Sequence, residues 1–468
     1  MYVEPTAIPF LVCWAVLPVV WHYFMAAIGL SLLRPTLPSF SILGIYLFQY
    51  LGLPILFFGL DAYRYESGVT DQAVILLVWL FTSLTITSML TGFAVAHFAF
   101  GSLAPFPRLW RSRSSIDERQ RLLVLSYGSL GAAVLLIYVS ILGTSNIALL
   151  AVLGGSDAAS LALARSGMGN DFPGGYHWYV LFMRDVLQFA WLVLFVDRLL
   201  KPSLLKTISL VVLGCFLAMS LLMATEKAPV AFFLIAVMLA YIWAKHEGRL
   251  SLRIAILFAA ALVLLLAGAY ILFMGDAGLL AALWSIVSRG LAGSIHPAYF
   301  YLEIFPRQVD WLQGLSFPNP GGVLPFVPYE MTVEVMNRMD PASAEKGIVG
   351  TAPTVFWGEV YANFGPLCVP IGGLLVGIWL YLLNKIVFRC FSAPVGVAFF
   401  AWLMMHYLGL AVTSLSVFVI DIPLIVVTCL ALMVQMRIVR AAAAGTPSRP
   451  DALASTAAGE VARDFHAG

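Results

Sequence analysis

Hydrophobic residues along this chain gather into about eleven runs, each long enough to cross a bilayer, and between the eighth and the ninth lies one large polar, proline-rich insert, residues 275–361. A membrane helix needs roughly 20 consecutive apolar residues. Ile254–Met274 and Pro394–Leu415 supply that length, and the pattern predicts spans at 7–33, 40–60, 72–100, 122–143, 178–198, 207–223, 228–244, 254–274, 362–384, 394–415 and 416–436. The predicted fold is an all-α integral membrane protein in four parts. Residues 1–274 hold eight helices with short loops, 275–361 form an extracytoplasmic loop carrying short helices, 362–440 hold three more helices, and 441–468, rich in Ala, Ser, Gly and Pro, form a disordered cytoplasmic tail.

Composition narrows the class. With 61% hydrophobic and 11% charged residues and a mean hydropathy of +0.94, the chain reads as a membrane protein and not a soluble domain. The first apolar run follows Glu4 and Pro5 with no basic flank or small-residue cleavage pattern, so it reads as a retained span and not a signal peptide. A net charge of +2, spread among loops, excludes nucleic acid as a partner. No GxxxxGK[ST] loop is present, so this chain carries no ATPase engine. Cys13, Cys215, Cys368 and Cys429 fall within apolar runs and Cys390 in a short basic loop, with no metal-ligand spacing; they read as packing residues, and no cofactor is implied.

Charge then fixes an orientation. Eleven spans put the termini on opposite sides, and of the 26 lysines and arginines 18 fall on one side, including five between Arg108 and Arg121. The other side holds Arg64, Arg165, Arg184, Lys227, Arg289, Arg307, Arg338 and Lys346, the last four within the long insert, where the positive-inside rule has little force. The basic side is therefore expected to be cytoplasmic. The insert, the loop at 144–177 and the Glu226-Lys227 hairpin then face outward. Trp110 and Trp357 are expected as interfacial anchors.

The insert is expected to fold, since long loops with apolar content of their own usually pack as lids or binding elements. Helix-compatible pieces lie at Gly278–Val287, Pro297–Phe305 and Tyr329–Met339, separated by the turn-rich Phe317–Gly322. Most of its charges solvate a surface. Arg289, after the apolar Leu283–Val287, should lie at the membrane surface, where an ionisable group needs a partner. Glu359, among Phe356, Trp357 and Tyr361, should have a raised pKa and suits an acid or base; Glu303 and Glu330 compete for that role. Arg165 and Arg184 flank the second outer loop. Arg184 lies inside an apolar stretch beside Asp185, which reads equally as an internal ion pair, as helix-end snorkelling or as a ligand site. Several arginines with a few carboxylates suit a ligand carrying a pyrophosphate and sugar hydroxyls, because guanidinium forks bind phosphate oxygens in pairs and a carboxylate takes a proton from a hydroxyl. An anion transporter would use the same arginines.

The run Ala224-Thr225-Glu226-Lys227-Ala228-Pro229, the pair Gly314-Leu315-Ser316-Phe317 and Leu324-Pro325-Phe326, and above all Gly358-Glu359-Val360-Tyr361-Ala362-Asn363-Phe364-Gly365 resemble the Wzy-type O-antigen or oligosaccharide repeat-unit polymerases of bacterial inner membranes. The resemblance covers roughly 207–385, and the rest only by topology. It implies polymerisation of undecaprenyl-pyrophosphate-linked repeat units on the periplasmic face, within membrane lipid, with a chain-length regulator as a possible protein partner. Arginines would neutralise the pyrophosphate and a carboxylate would activate the acceptor hydroxyl, with Glu359 and Arg289 catalytic and Arg165, Arg184, Lys227, Glu303, Arg307, Glu330, Tyr361 and Asn363 binding substrate. No metal is implied, as the outer loops contain no DxD. Phe326 stands where members of that family often carry an arginine, which shifts the phosphate-binding load to Arg289 and Arg307.

Three other activities fit parts of the pattern. An O-antigen ligase differs only in its acceptor. A flippase or other transporter would show internal repeats and midplane ion sites, and no repeat is visible. A membrane O-acyltransferase would use a histidine within a span, as at His406, although His22 and His97 are also placed in spans and a lone histidine there is commonly structural.

Overall fold

In this computed structural model, described for residues 5–110, 115–155, 164–165, 167–169, 172, 175–274, 278–319, 322–345 and 350–444, the apolar runs form helices whose starts are set by short polar side chains. Asp71 accepts from Ala73 N–H at 2.8 Å, Ser203 from Lys206 N–H at 3.3 Å, and Asp117 and Gln120 exchange hydrogen bonds in a capping box. The helices are α1 (Ala7–Ala27), α2 (Leu37–Phe57), α3 (Ala62–Glu66), α4 (Gln72–Phe100), α5 (Glu118–Leu142), α6 (Ala148–Leu153), α7 (Tyr176–Leu200), α8 (Leu204–Leu222), α9 (Lys227–Lys245) and α10 (Leu252–Met274). Within the insert follow α11 (Leu279–Ala292), α12 (His296–Ile304), α13 (Met331–Met339), α14 (Pro341–Glu345) and α15 (Phe356–Phe364). The chain continues with α16 (Cys368–Cys390), α17 (Val395–Leu408), α18 (Leu415–Phe418) and α19 (Ile422–Ala444). No strand occurs among the described residues.

Eight of these, α1, α2, α4, α5, α7, α8, α9 and α16, are long and apolar enough to cross a membrane, and three shorter apolar helices, Leu252–Gly268, Val395–Ala411 and Ile422–Met436, occupy the remaining expected spans. The protein is thus a multi-pass helical membrane protein. The expected span at 416–436 starts late, because Leu415–Phe418 form the separate short helix α18 and Asp421 caps α19 by accepting from Leu424 N–H at 2.8 Å. Of the expected tail, 441–444 extend α19 and the remainder lies outside the described residues, as do Asp276 and Lys346.

Hydrogen bonds sort the connections between two ends. Leu250 N–H donates to Leu33 O at 2.8 Å, Trp243 to Pro35 O at 3.1 Å and Trp110 to Phe391 O at 3.0 Å, which gathers the arginine-rich loops at one end. At the other, Asp71 N–H donates to the Tyr299 hydroxyl at 3.2 Å, Leu149 N–H to Met223 O at 3.0 Å and Ser416 N–H to Glu359 Oε2 at 2.7 Å. The bent pair α11–α12, kinked by 41°, belongs to this insert end, since His296 Nε2 meets Ser67 Oγ at 3.2 Å and Tyr361 donates to Phe305 O at 3.2 Å.

The core sits along α4 and α16, whose backbones touch. A Cβ at Gly92 would collide with Leu374 O, and one at Gly377 with Met89 O. Glycine at such crossings is how membrane helices gain dispersion contact where lipid gives no hydrophobic drive. At the arginine-rich end Asp197, fully buried, accepts from Ser115 Oγ at 2.6 Å and pairs with Lys206 Nζ at 2.8 Å, which offsets the cost of its charge. Two expectations are corrected. Trp110 and Trp357 are core residues, not interfacial anchors, their ring N–H groups bonded to Phe391 O and Thr82 Oγ1. Cys13, Cys215 and Cys429 point out of the bundle instead of packing within it.

Candidate functional site

The turn between α8 and α9 organises the insert end. Thr225 adopts φ of 54° there, a left-handed conformation that a β-branched residue keeps only when its surroundings over-determine it. They do so: Arg165 Nε donates to Thr225 Oγ1 at 2.7 Å, and that hydroxyl donates in turn to Ala224 O at 2.7 Å. On the other flank, Arg184 Nη2 lies 3.7 Å from Glu226 Oε2. Its Nε is buried without a hydrogen-bond partner among the described residues. Lys227 opens α9 within electrostatic reach of both Arg289 and Arg165. Four of the expected basic residues, drawn from four separate segments, therefore surround one turn with Glu226 between them. Such a surplus of positive charge focuses a field suited to a polyanion.

Arg184 and Arg289 share a local geometry. Each sits in a π-turn, Leu181–Val186 in α7 and Ser288–Ala292 in α11, where the extra residue re-aims the side chains, as at many functional sites. Arg184 pairs with Glu226, while its neighbour Asp185 accepts from Trp402 and lies near Asp421, whose carboxylate is 3.6 Å from His406 Nε2.

The turn that carries Arg289 is held from behind. Ser288 donates to Asp61, and Arg64 bonds both that carboxylate and the Ser288 hydroxyl. Asp61 and Arg64 are only 6% and 5% exposed, so the pair is shielded from competing water. Burial pushes the Asp61 carboxyl upward, but the Ser288 hydroxyl and the Arg64 charge outweigh it and hold the group below the usual carboxylate range. A Cβ on Gly52 would strike Leu291 O, so the π-turn rests directly on the end of α2. Arg289 itself is exposed. Asp61, Arg64 and Ser288 were given no role from sequence. The signal was the Asp61-x-x-Arg64 spacing directly after an apolar run, which places the two side chains on one helical face.

Glu359 belongs to a different cluster. It is 2% exposed, and its carboxylate accepts from Ser316 Oγ at 2.9 Å, Ser416 Oγ at 2.7 Å and Ser416 N–H at 2.7 Å. Burial raises its pKa, and the serine donors oppose that rise. Asn363, also buried, donates to Ser316 Oγ and to Glu359 O, both at 2.8 Å, and accepts from Gly314 N–H at 2.8 Å. The segments around Gly314 and Glu359 are thus bonded to each other and to the break before α19. Tyr361 is buried against Trp311, ring centroids 5.2 Å apart. Glu303 is half-buried beside Tyr299, and Arg307 and Glu330 lie on the insert surface, Arg307 acting on Tyr361 and Glu330 preceding α13. The structure therefore splits the expected site in two: a cationic turn (Arg165, Arg184, Lys227, Arg289) and a buried tie (Glu359, Asn363).

No family model matches the chain, and no curated protein or solved structure does either.

Proposed function

We propose that the protein transfers glycan between polyprenyl-pyrophosphate carriers at its insert end, facing the periplasm, as an oligosaccharide repeat-unit polymerase of the bacterial inner membrane. The observation that carries this reading is the convergence of Arg165, Arg184, Lys227 and Arg289 on the α8–α9 turn. Four cations at the mouth of a membrane bundle match a lipid pyrophosphate, which brings negative charge to that depth and leaves as a dianion or more. In the reaction, the oxygen of an acceptor sugar hydroxyl bonds to the anomeric carbon of the growing chain, the bond from that carbon to the pyrophosphate oxygen breaks, and the leaving charge is met by the guanidinium groups.

The proton of the acceptor hydroxyl needs a carboxylate. Glu226, exposed and beside Arg184, is on the turn itself, whereas Glu359 has its oxygens filled by three donors. We therefore assign Glu226 to orienting or deprotonating the acceptor, and Glu359 to tying the insert onto the bundle. Binding tests the reading without needing the sugar to be known: purified protein should retain undecaprenyl pyrophosphate and discriminate against uncharged undecaprenol, and Arg289→Ala and Lys227→Ala should each weaken retention by roughly tenfold. Equal retention of the two lipids by the wild type would overturn it.

A further inference from the structure

The helices α4 and α16 are in backbone contact at Gly92, Gly373 and Gly377, and side chains carry the contact on to the arginine-rich end, where His97 meets the Tyr381 hydroxyl at 3.1 Å. There α4 stops at Phe100, Gly101 turns the chain with φ of 80°, and Lys385 of α16 donates to the carbonyls of Phe100 and Gly101, a cation on the negative end of a helix. The chain then loops outward and returns at Trp110, which is buried and bonded to Phe391 O. Between this strap and the last turns of α16 the structure leaves a cavity of about 490 Å³. Its walls combine apolar side chains, Leu103, Pro107, Leu109 and Phe388, with two cations, Lys385 and Arg389.

Spacing sets which way these cations face. Lys385, Phe388 and Arg389 stand at i, i+3 and i+4 on α16 and so share one face of the helix. The 23 residues of α16 span about 34 Å at 1.5 Å per residue, against a hydrocarbon core of about 30 Å, so its last turn reaches the level of the lipid headgroups. Lys385 spends its hydrogens on the carbonyls of the α4 terminus but keeps its charge. Arg389 is exposed and within electrostatic reach of Lys385, its planar fork suited to paired phosphate oxygens.

We propose that this cavity is a binding site for an anionic phospholipid of the leaflet at the arginine-rich end, the phosphate against Arg389 and Lys385 and the glycerol and upper acyl carbons against Leu103, Pro107, Leu109 and Phe388. A soluble phosphate would use the cations alone and gain nothing from the apolar walls. A zwitterionic lipid would use the walls but bring a positive group toward two cations. Basic pockets at the ends of membrane helices select anionic headgroups for these reasons. The site is separate from the cationic turn at the insert end and stands whether or not the glycan-transfer reading holds.

Native mass spectrometry of the full-length protein in detergent tests it, with phosphatidylglycerol and phosphatidylcholine of identical acyl chains as probes. The wild type is expected to retain phosphatidylglycerol preferentially, Arg389→Ala to lose that preference by roughly five- to tenfold, and Leu103→Trp, which fills the cavity without altering charge, to lose lipid retention as well. Equal retention of the two lipids by the wild type overturns the proposal. So does unchanged phosphatidylglycerol retention in both variants, or displacement by millimolar inorganic phosphate as effective as by unlabelled phosphatidylglycerol.

Discussion

Ser288 hydrogen-bonds Asp61 across 227 residues of chain, one position before Arg289. The bond ties the π-turn of α11 to the end of the second span and, with Arg64, fixes where the Arg289 guanidinium emerges. If that is its role, losing the clamp and losing the guanidinium are the same event for an anionic ligand. Ser288→Ala should lower affinity for undecaprenyl pyrophosphate by up to about tenfold, no more than Arg289→Ala alone, and Arg289→Ala added to it should cost little more. Fully additive losses would show that Ser288 acts elsewhere.

Asp61 also makes a prediction about pH. Its folded-state pKa is depressed, so its contribution to stability is present above the unfolded carboxylate value of 3.8 and is lost as pH falls through the lower folded value. Asp61→Asn should therefore be less stable than the wild type at neutral pH, with the gap in melting temperature closing toward pH 3. A gap that widens on acidification would contradict the assignment.

For Glu359 the sign is opposite. Burial raises its pKa above the ordinary 4.5, so stability contributed by the neutral form is present at low pH and is lost as pH rises past that value. Glutamine can keep the geometry, its carbonyl accepting from Ser416 N–H and its amide donating to hydroxyls that rotate to accept. Glu359→Gln should gain stability relative to the wild type as pH rises past 4.5, and retain most activity, while Glu359→Ala loses folded protein. A drop in turnover of about 10²–10⁴-fold in folded Glu359→Gln would instead identify the carboxylate as the base.

Orientation is testable by fusion. A phosphatase active only in the periplasm should work when inserted after Asn319, at the insert end, and fail after Glu247, in the turn between α9 and α10 at the arginine-rich end. The reverse pattern would place the cationic turn in the cytoplasm.

The helices were legible because lipid imposes one rule, an apolar run long enough to satisfy its own backbone, and Ile254–Met274 or Trp178–Leu194 obey it without reference to neighbours. What that rule cannot show is where a run is interrupted by a distant partner. Ser416 lies in mostly apolar sequence, yet its N–H and hydroxyl belong to Glu359, 57 residues away, and this tie together with the Asp421 cap makes the expected last span start later. The basic residues of the site were visible singly, as ionisable groups near hydrocarbon. Their convergence was not, since it depends on the left-handed Thr225 and on two π-turns that leave no periodic trace. Trp110 shows the converse error: a tryptophan at a predicted interface reads as an anchor, and only the fold reveals that its ring N–H is spent on Phe391 O within the core.

Glycan transfer at the cationic turn can be read directly. Purified protein in lipid nanodiscs, supplied with undecaprenyl-pyrophosphate-linked repeat units from its native host, should lengthen the glycan and release undecaprenyl pyrophosphate in step. Arg289→Ala, with its melting profile unchanged, should form less than about one hundredth of the product, as removal of a charge-stabilising donor does in other transfer reactions. Polymer of normal length and yield from Arg289→Ala, or no lengthening by the wild type, would contradict it.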